Sequence, residues 1–465
     1  IASCLVGSEM CIRDRSGIGM QKRDLNRHES YGSTGVHIEK GGVNMDEKIE
    51  LLFDKLLWQK AIQHCIDKGV NPMKMIRFTE PEFRGQLFDI IMSGNYKVAP
   101  PRIALIPKEK GEFRKVYVNT VQDRLVLTMI NEVYCKLYGD MIHPKCVSYQ
   151  KGIGVRSIVQ QISRELVRGI KGYKIDISKY FDSVSRDAMN AALQSVSTGS
   201  PIDKILWDYY NDDIVIDENW QKVEKYKSLC QGCAPSAFFA NIMLRDIDAA
   251  LSDMCSVYYR YSDDILILGD RADEALNMLT EMLSQKGLKV NPKKVQPVSS
   301  DNGFMFLGCR IKGKDISIGE KSVKEFTKKM KELCATKATG EAALRKRIRK
   351  INRYLYLDYM NNPTVFGWAE YFFSIINKEE DIVELDTWVK DLLRSSVTGK
   401  DKIGGLGVDL NRGVLRGRGR NVNANKGNTK GVLEKYGYVS MHHLYKVYRT
   451  DHDAYRMEVN RLMSA

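Results

Sequence analysis

The stretch "YYRYSDDILILG", Tyr258 to Gly269, sets two aspartates side by side between two apolar, β-rich runs. Such runs around a short polar break read as a β-hairpin with Asp263 and Asp264 at its tip. Adjacent carboxylates repel each other and are costly to desolvate. The pair makes physical sense if a cation sits between them, so the fold must bring further oxygen ligands to the same place. "YKIDISKYFD", Tyr173 to Asp182, offers one. Asp176 lies between Ile175 and Ile177 in a run that reads as a central strand, where a lone acid is expensive unless paired or metal-bound. Two strands, each carrying an apolar-flanked Asp, can lie side by side in one sheet, and their carboxylates then converge with Asp264 nearby. Magnesium prefers oxygen ligands and shares substrate phosphates. Two such ions about 3.5–4 Å apart clamp the attacking and leaving oxygens of a phosphoryl transfer.

Bulk properties narrow the partners. The chain has 465 residues, 43% hydrophobic and 28% charged, which fits several globular domains. No apolar run reaches the roughly 18–20 residues that span a membrane, and a cytoplasmic location is expected. The net charge of +14 points to a polyanionic partner. Ten cysteines at irregular spacings fit a reducing compartment better than a disulfide framework. "CQGC", Cys230 to Cys233, lacks a second pair at zinc spacing and reads as packing. "LVGSEMCIRD", Leu5 to Asp14, corresponds to a translated sequencing adapter, so residues 1–19 are expected to be non-native. A natural start is then Met20 or Met45. Arg13, Arg15, Glu9 and Asp14 cancel, so the charge argument is unaffected.

From Met45 to about Met92 the pattern is helical. "VAPPRIALIPKEKGEFRKVYV", Val98 to Val118, reads as two strands around a Lys-Gly turn. A helix capped by Asn119 or Thr120 follows. "PSAFFANIMLRDIDAALSDM" reads as one long helix and "LKVNPKKVQPV" as a strand. Strands and helices mix without βαβ alternation, which predicts an α+β domain on an antiparallel sheet. After Lys321 the chain turns helical and basic, and Arg345, Lys346, Arg347, Arg349 and Lys350 are its candidate nucleic-acid contacts. Asn411 to Gly431 reads as a basic Gly- and Asn-rich loop.

These boxes resemble the reverse transcriptases. "YSDD" at Tyr261–Asp264 is similar to the family's Y-x-D-D box, and "DISKYFD" at Asp176–Asp182 to the strand with its first metal-binding Asp. "QGCAPSAFFANIML" at Gln231–Leu244 resembles the glycine box and its helix. "NPKKVQ" at Asn291–Gln296 and "FLGCRI" at Phe306–Ile311 resemble the last two palm motifs. "RIALIPKEKGEFRKVYVNTVQDRLV" at Arg102–Val126 looks like the fingers motifs. One box is weak; five in order are specific. The resemblance spans about Val98 to Ser395. It implies a right-hand polymerase with fingers over 98–170, palm over 171–312 and a helical thumb over 313–400. An N-terminal helical extension, 20–97, and a basic C-terminal region, 401–465, flank it.

The resemblance also implies roles. Asp176 and Asp263 ligate two Mg²⁺ (or Mn²⁺) ions, with the Ile177 carbonyl and Asp264 in support. Lys108 and Arg114 grip the triphosphate, and Phe181 lies against the sugar, where a ring excludes a ribose 2′-OH. Gln231 and Gly232 line the nucleotide, and Lys293 or Lys294 protonates the leaving pyrophosphate. Arg124 is structural. The implied partners are an RNA template, dNTPs and a cDNA product.

"GWAEYFFSIINKEEDIVELDTWVKDLLR", Gly367 to Arg394, resembles the thumb and maturase-like region of group II intron proteins. Three features depart from them. "SYQKGIGVRS" stands at Ser148–Ser157 where they read S-Y-G-F-R-P-G-R-S, Ser236–Ala237 replaces Ser-Pro, and no Cys/His endonuclease motif follows Cys334. The departures fit bacterial unknown-group reverse transcriptases, many of which copy a non-coding RNA in phage defence. An intron maturase, an RNA-templated RNA polymerase and a template-free or self-primed polymerase are the alternatives.

Overall fold

The computed structural model describes residues 45–107, 111–150, 152–336, 338, 340–356, 367–398, 405–409, 414–418 and 432–464. The adapter-like segment, Lys108 and most of the Gly-rich basic loop lie outside them. The described residues form two compact units, 45–150 with 172–297, and 152–171 with 298–464. The chain therefore changes unit at 150/151, 171/172 and 297/298.

The first unit opens with helices α1 (Met45–Phe53), α2 (Lys55–Asp67) and α3 (Pro81–Met92). Strands β1 (Arg102–Pro107) and β2 (Phe113–Val118) follow as an antiparallel hairpin, then α4 (Val121–Tyr138), capped by Thr120. Leu125, Val126, Met129, Ile130 and Val133 of α4 are almost fully buried, and one hydrophobic core gathers around them. Lys48 of α1 is buried in that core. Its ammonium meets the Asp203 carboxylate at 2.5 Å and lies over the rings of Tyr134 and Tyr138.

Helix α5 (Val155–Glu165) belongs to the second unit, and β3 (Lys171–Asp176) returns the chain to the first. Next come α6 (Arg186–Ser195), α7 (Pro201–Asn211), β4 (Ile214–Ile216) and β5 (Lys222–Glu224). Strands β4 and β5 extend the first hairpin into a sheet of order β2-β1-β4-β5. The expected long helix is two, α8 (Ala234–Ile242) and α9 (Arg245–Met254). The chain breaks at Leu244, whose ψ of 14° leaves the helical region. Strands β6 (Val257–Tyr261) and β7 (Asp264–Leu268) form the acidic hairpin, followed by α10 (Ala272–Gln285). The run read as one strand from Leu288 is a single bridge at Val290, a turn at Pro292–Lys294, and β8 (Gln296–Ser299). Proline has no N–H for a ladder, which explains the interruption. The sheet order is β6-β7-β3-β8.

In the second unit β9 (Phe304–Phe306), β10 (Cys309–Lys312) and β11 (Asp315–Ile318) form an antiparallel sheet. The Lys314 ammonium caps the end of α5, reaching the carbonyls of Ser163, Arg164 and Leu166 at 2.8–3.2 Å. The longer helices that follow among the described residues are α11 (Glu320–Cys334), α12 (Glu341–Leu355), α13 (Trp368–Ile375), α14 (Glu379–Thr398), α15 (Met441–Thr450) and α16 (His452–Ser464). A two-stranded ladder, β12 (Gly405–Asp409) with β13 (Val414–Arg418), lies in the interval after α14. The fold class is thus α+β, largely antiparallel sheets, with β4 parallel to β1, and a helical C-terminal region. No described helix is long and apolar enough to cross a membrane. The eight described cysteines are free, and Cys230 and Cys233 are buried as packing.

Candidate active site

Tyr261 pairs with Asp264, so Ser262 and Asp263 alone turn the β6–β7 hairpin. Ser262 has a φ of +60°. A positive φ at the first central residue only is the II′ pattern, which favours glycine. A serine there stores strain on the order of 1–3 kcal/mol.

Arg260 pins this turn from below. It is fully buried and forks onto Asp248 of α9, Nε to Oδ1 at 2.6 Å and Nη2 to Oδ2 at 2.5 Å. The same guanidinium donates to the carbonyls of Asn241 (3.0 Å) and Ser262 (3.3 Å). Tyr258 donates to Asp248 at 2.6 Å. Asn241 exchanges two hydrogen bonds with Ser148, at 2.7 and 2.8 Å. Burial works against the guanidinium charge, but Asp248 outweighs it, so Arg260 stays ionised. Hydrophobic pattern carries no sign of this network, and Ser148 stands out in the sequence only as the start of a divergent motif.

Strand β3 lies against β7 with Asp176 opposite Asp264. The Ile177 N–H donates to the Asp263 carbonyl at 2.9 Å, and the Asn291 N–H to the Asp176 carbonyl at 2.8 Å. The three aspartates therefore meet at one end of one sheet. Burial, then the charges of Asp264 and Asp176, push the Asp263 carboxyl up to about 6. Burial also raises Asp264, against the pull of Lys174 at 3.6 Å.

Lys294 settles which lysine faces the acids. Both lysines are exposed, but the Lys294 ammonium lies 2.6 Å from Asp176. Lys293 donates only its backbone N–H to Asn291, at 3.2 Å. Burial opposes the Lys294 charge, and the bond to Asp176 more than restores it, raising its pKa.

Among the described residues no three His, Cys, Asp or Glu side chains are gathered tightly enough to ligate one ion as they stand. Asp176 is drawn to Lys294 and Asp264 to Lys174. Magnesium takes one or two carboxylates plus phosphate oxygens, not an all-protein cage. Burial first, and then the neighbouring acids, hold Asp263 near 6, and a cation bound there would relieve both, so the donor set fits.

The nucleotide candidates partly come together. Gly232 has a φ of +105°, and a Cβ there would stand 2.6 Å from Val116 Cγ1 and 2.8 Å from the Tyr117 carbonyl. Only glycine serves this close approach. The Gln231 carbonyl accepts from the Tyr117 N–H at 2.8 Å, which fastens the glycine box to β2. Arg114 shares a β2 face with Val116, two residues on, and so the side that meets Gly232. Phe181 is half-buried against the core with its carbonyl bound by the Leu229 N–H. Beside it the Lys115 ammonium meets Asp182 at 3.3 Å, a cation the sequence did not single out. Arg124 donates to the Lys68 carbonyl at 2.8 Å, consistent with a structural role.

In the second unit Arg345, Lys346, Arg349 and Lys350 are exposed along α12, with the Arg345 guanidinium over the Tyr436 ring at 5.3 Å. Arg347 departs from its expected place as a nucleic-acid contact. It is 8% exposed and donates to the carbonyl and hydroxyl of Thr336, because position 347 falls on the apolar face with Leu344, Ile348 and Ile351.

Two acids on the β6–β7 hairpin and a third on β3 beside it, with Lys294 across them and a glycine turn against the β1–β2 hairpin, make up the candidate site. Residues 106–311 match the family model described as reverse transcriptase (RNA-dependent DNA polymerase). The match covers a little under half of the chain, and through this segment the chain is similar to the RNA-directed DNA polymerases. Protein YkfC of Escherichia coli is 22% identical over 280 residues, 51% of this chain and 73% of that protein. The putative COX1/OXI3 intron 1 protein of Saccharomyces cerevisiae is 24% identical over 181 residues, 38% of this chain but 21% of its own length. Apo telomerase from Candida tropicalis, a solved structure, aligns with a TM-score of 0.40 and 14% identity over 64% of this chain and 57% of that one.

Proposed function

We propose that the chain copies RNA into DNA with two divalent ions held by Asp176 and Asp263, assisted by Asp264 and the Ile177 carbonyl. The observation that carries this reading is the register Asp176 opposite Asp264, which puts acids from two distant strands at one sheet end. Bound there, Mg²⁺ supplies charge neutralisation at the phosphoryl oxygens and a lowered pKa for the attacking hydroxyl. The chain's own groups do the rest. Arg114, with Lys108, holds the triphosphate and offsets its charge. The Gln231–Gly232 backbone takes the face of the incoming nucleotide. The Phe181 ring fills the space a 2′-OH needs. Lys294, 2.6 Å from Asp176, delivers its Nζ proton to the departing pyrophosphate. The exposed face of α12 carries RNA by charge.

The template we favour is a dedicated non-coding RNA, copied in bacterial anti-phage defence; this rests on the motif departures at Ser148–Ser157 and Ser236–Ala237. Similarity to an intron-encoded yeast protein supports a second reading, splicing and retrohoming of a group II intron. Sequencing the nucleic acid that co-purifies with the protein separates them. One recurrent structured RNA with its complementary DNA supports the first; intron RNA with flanking exons supports the second. On a primed RNA template, Phe181→Val should raise use of rNTPs relative to dNTPs, and an unchanged ratio removes Phe181 from the sugar site.

A further inference from the structure

The β4–β5 hairpin breaks a backbone rule in plain view. Asp217 and Gln221 close a three-residue loop, with the Asp217 N–H on the Gln221 carbonyl at 2.9 Å. The Asp217 carboxylate takes the N–H groups of Asn219 and Gln221, each at 2.9 Å. The last residue of such a loop adopts the left-handed conformation that glycine favours. Here it is Trp220, at φ +63° and 71% exposed. A bulky residue in that region is an outlier, and burial of the ring does not repay it. The visible neighbour is a cation: the Arg102 guanidinium lies 5.0 Å from the indole centroid.

The register says which way this pair faces. Val118 pairs with Arg102, Arg102 with Ile216, and Ile216 with Lys222, a single row across β2, β1, β4 and β5. Paired residues project to the same side of a sheet. Along β2, Val118 shares its side with Val116 and Arg114. Val116 is the side chain against Gly232. The side that meets the glycine box therefore continues through Val118 (40% exposed), Arg102 and Lys222 to the indole. An aromatic plane beside one cation, with a second two residues along the chain, on the sheet side that leads to the glycine box, has the parts of a single-strand stacking site.

We propose that Trp220, with Arg102 and Lys222, stacks an unpaired base of the template strand that has not yet been copied. The row feeds that strand toward the glycine box. This rests on the reading of the chain as a template-dependent polymerase, but binding tests it without polymerisation.

Equilibrium binding of a primer–template RNA with an overhang of about eight nucleotides, without dNTPs, is compared with one of a single nucleotide. Trp220→Ala should weaken the long-overhang complex about tenfold and leave the short one unchanged, with Trp220→Phe close to wild type. Arg102→Ala should act in the same direction. In primer extension the loss should appear in the template KM on long overhangs, with kcat preserved. If the wild type extends nothing yet binds overhangs through Trp220, the platform stands and the polymerase reading falls. Equal overhang affinity in wild type and Trp220→Ala overturns the platform. So does a change of molecular mass by light scattering in Trp220→Ala with RNA affinity unmoved, which would make the indole a protein contact.

Discussion

At Lys294 the residue scale decides between two neighbours that the sequence left equal. The turn Pro292–Lys294, with Asn291 capping Lys293, directs the second lysine at Asp176. A general acid contributes about 10²–10⁴-fold. Lys294→Ala should therefore cut single-turnover incorporation about a hundredfold, while Lys293→Ala stays near wild type; the reverse order would return the role to Lys293. Asp263 yields a second expectation. Its folded pKa of about 6 lies above the ordinary 3.8, so the fold favours the protonated acid. Stability from this group is intact below about 3.8 and is lost as pH rises through about 6. In metal-free protein, Asp263→Asn should melt above wild type by a margin that grows from pH 4 to 6, and Mg²⁺ should raise only the wild-type melting point. A margin flat in pH would show that the fold does not disfavour the Asp263 charge. The aspartates themselves were legible because apolar runs bracket them. The direction of a lysine in a proline-interrupted turn was not, since it depends on one Asn side chain.

Among the elements, the acidic hairpin depends on α8 and α9 as much as on its own strands. Asp248 and Asn241 reach it through Arg260. Breaking a buried ion pair by removing one partner costs about 3–5 kcal/mol. Arg260→Lys keeps the charge but loses the fork, so it should lower the urea midpoint and slow nucleotide addition together. Should both stay at wild-type values, the turn is held by its strands alone. Periodicity found the strands, yet it merged α8 with α9 and missed this pair. Hydrophobic pattern reports which face is buried, and it is blind to a cation and an acid that meet inside. The same limit hid the burial of Arg347, whose charge read as surface although the helix repeat places it among Leu344, Ile348 and Ile351.

For the molecule as a whole, the net charge of +14 is a claim about RNA. Single-stranded nucleic acid binding loses affinity with salt at about −0.7 per neutralised phosphate in log–log slope. Replacing Arg345, Lys346, Arg349 and Lys350 by Gln should flatten the slope by up to about 3 in a filter-binding titration. An unaltered slope would remove α12 from the RNA surface. The central claim is that carboxylates distant in sequence hold divalent ions for nucleotide joining. Its most direct test is extension of a DNA primer on an RNA template with dNTPs, titrated with Mg²⁺, for wild type, Asp176→Asn and Asp263→Asn. The account predicts saturable metal-dependent DNA synthesis by the wild type and none above background by either variant; synthesis by Asp263→Asn at the wild-type rate would contradict it.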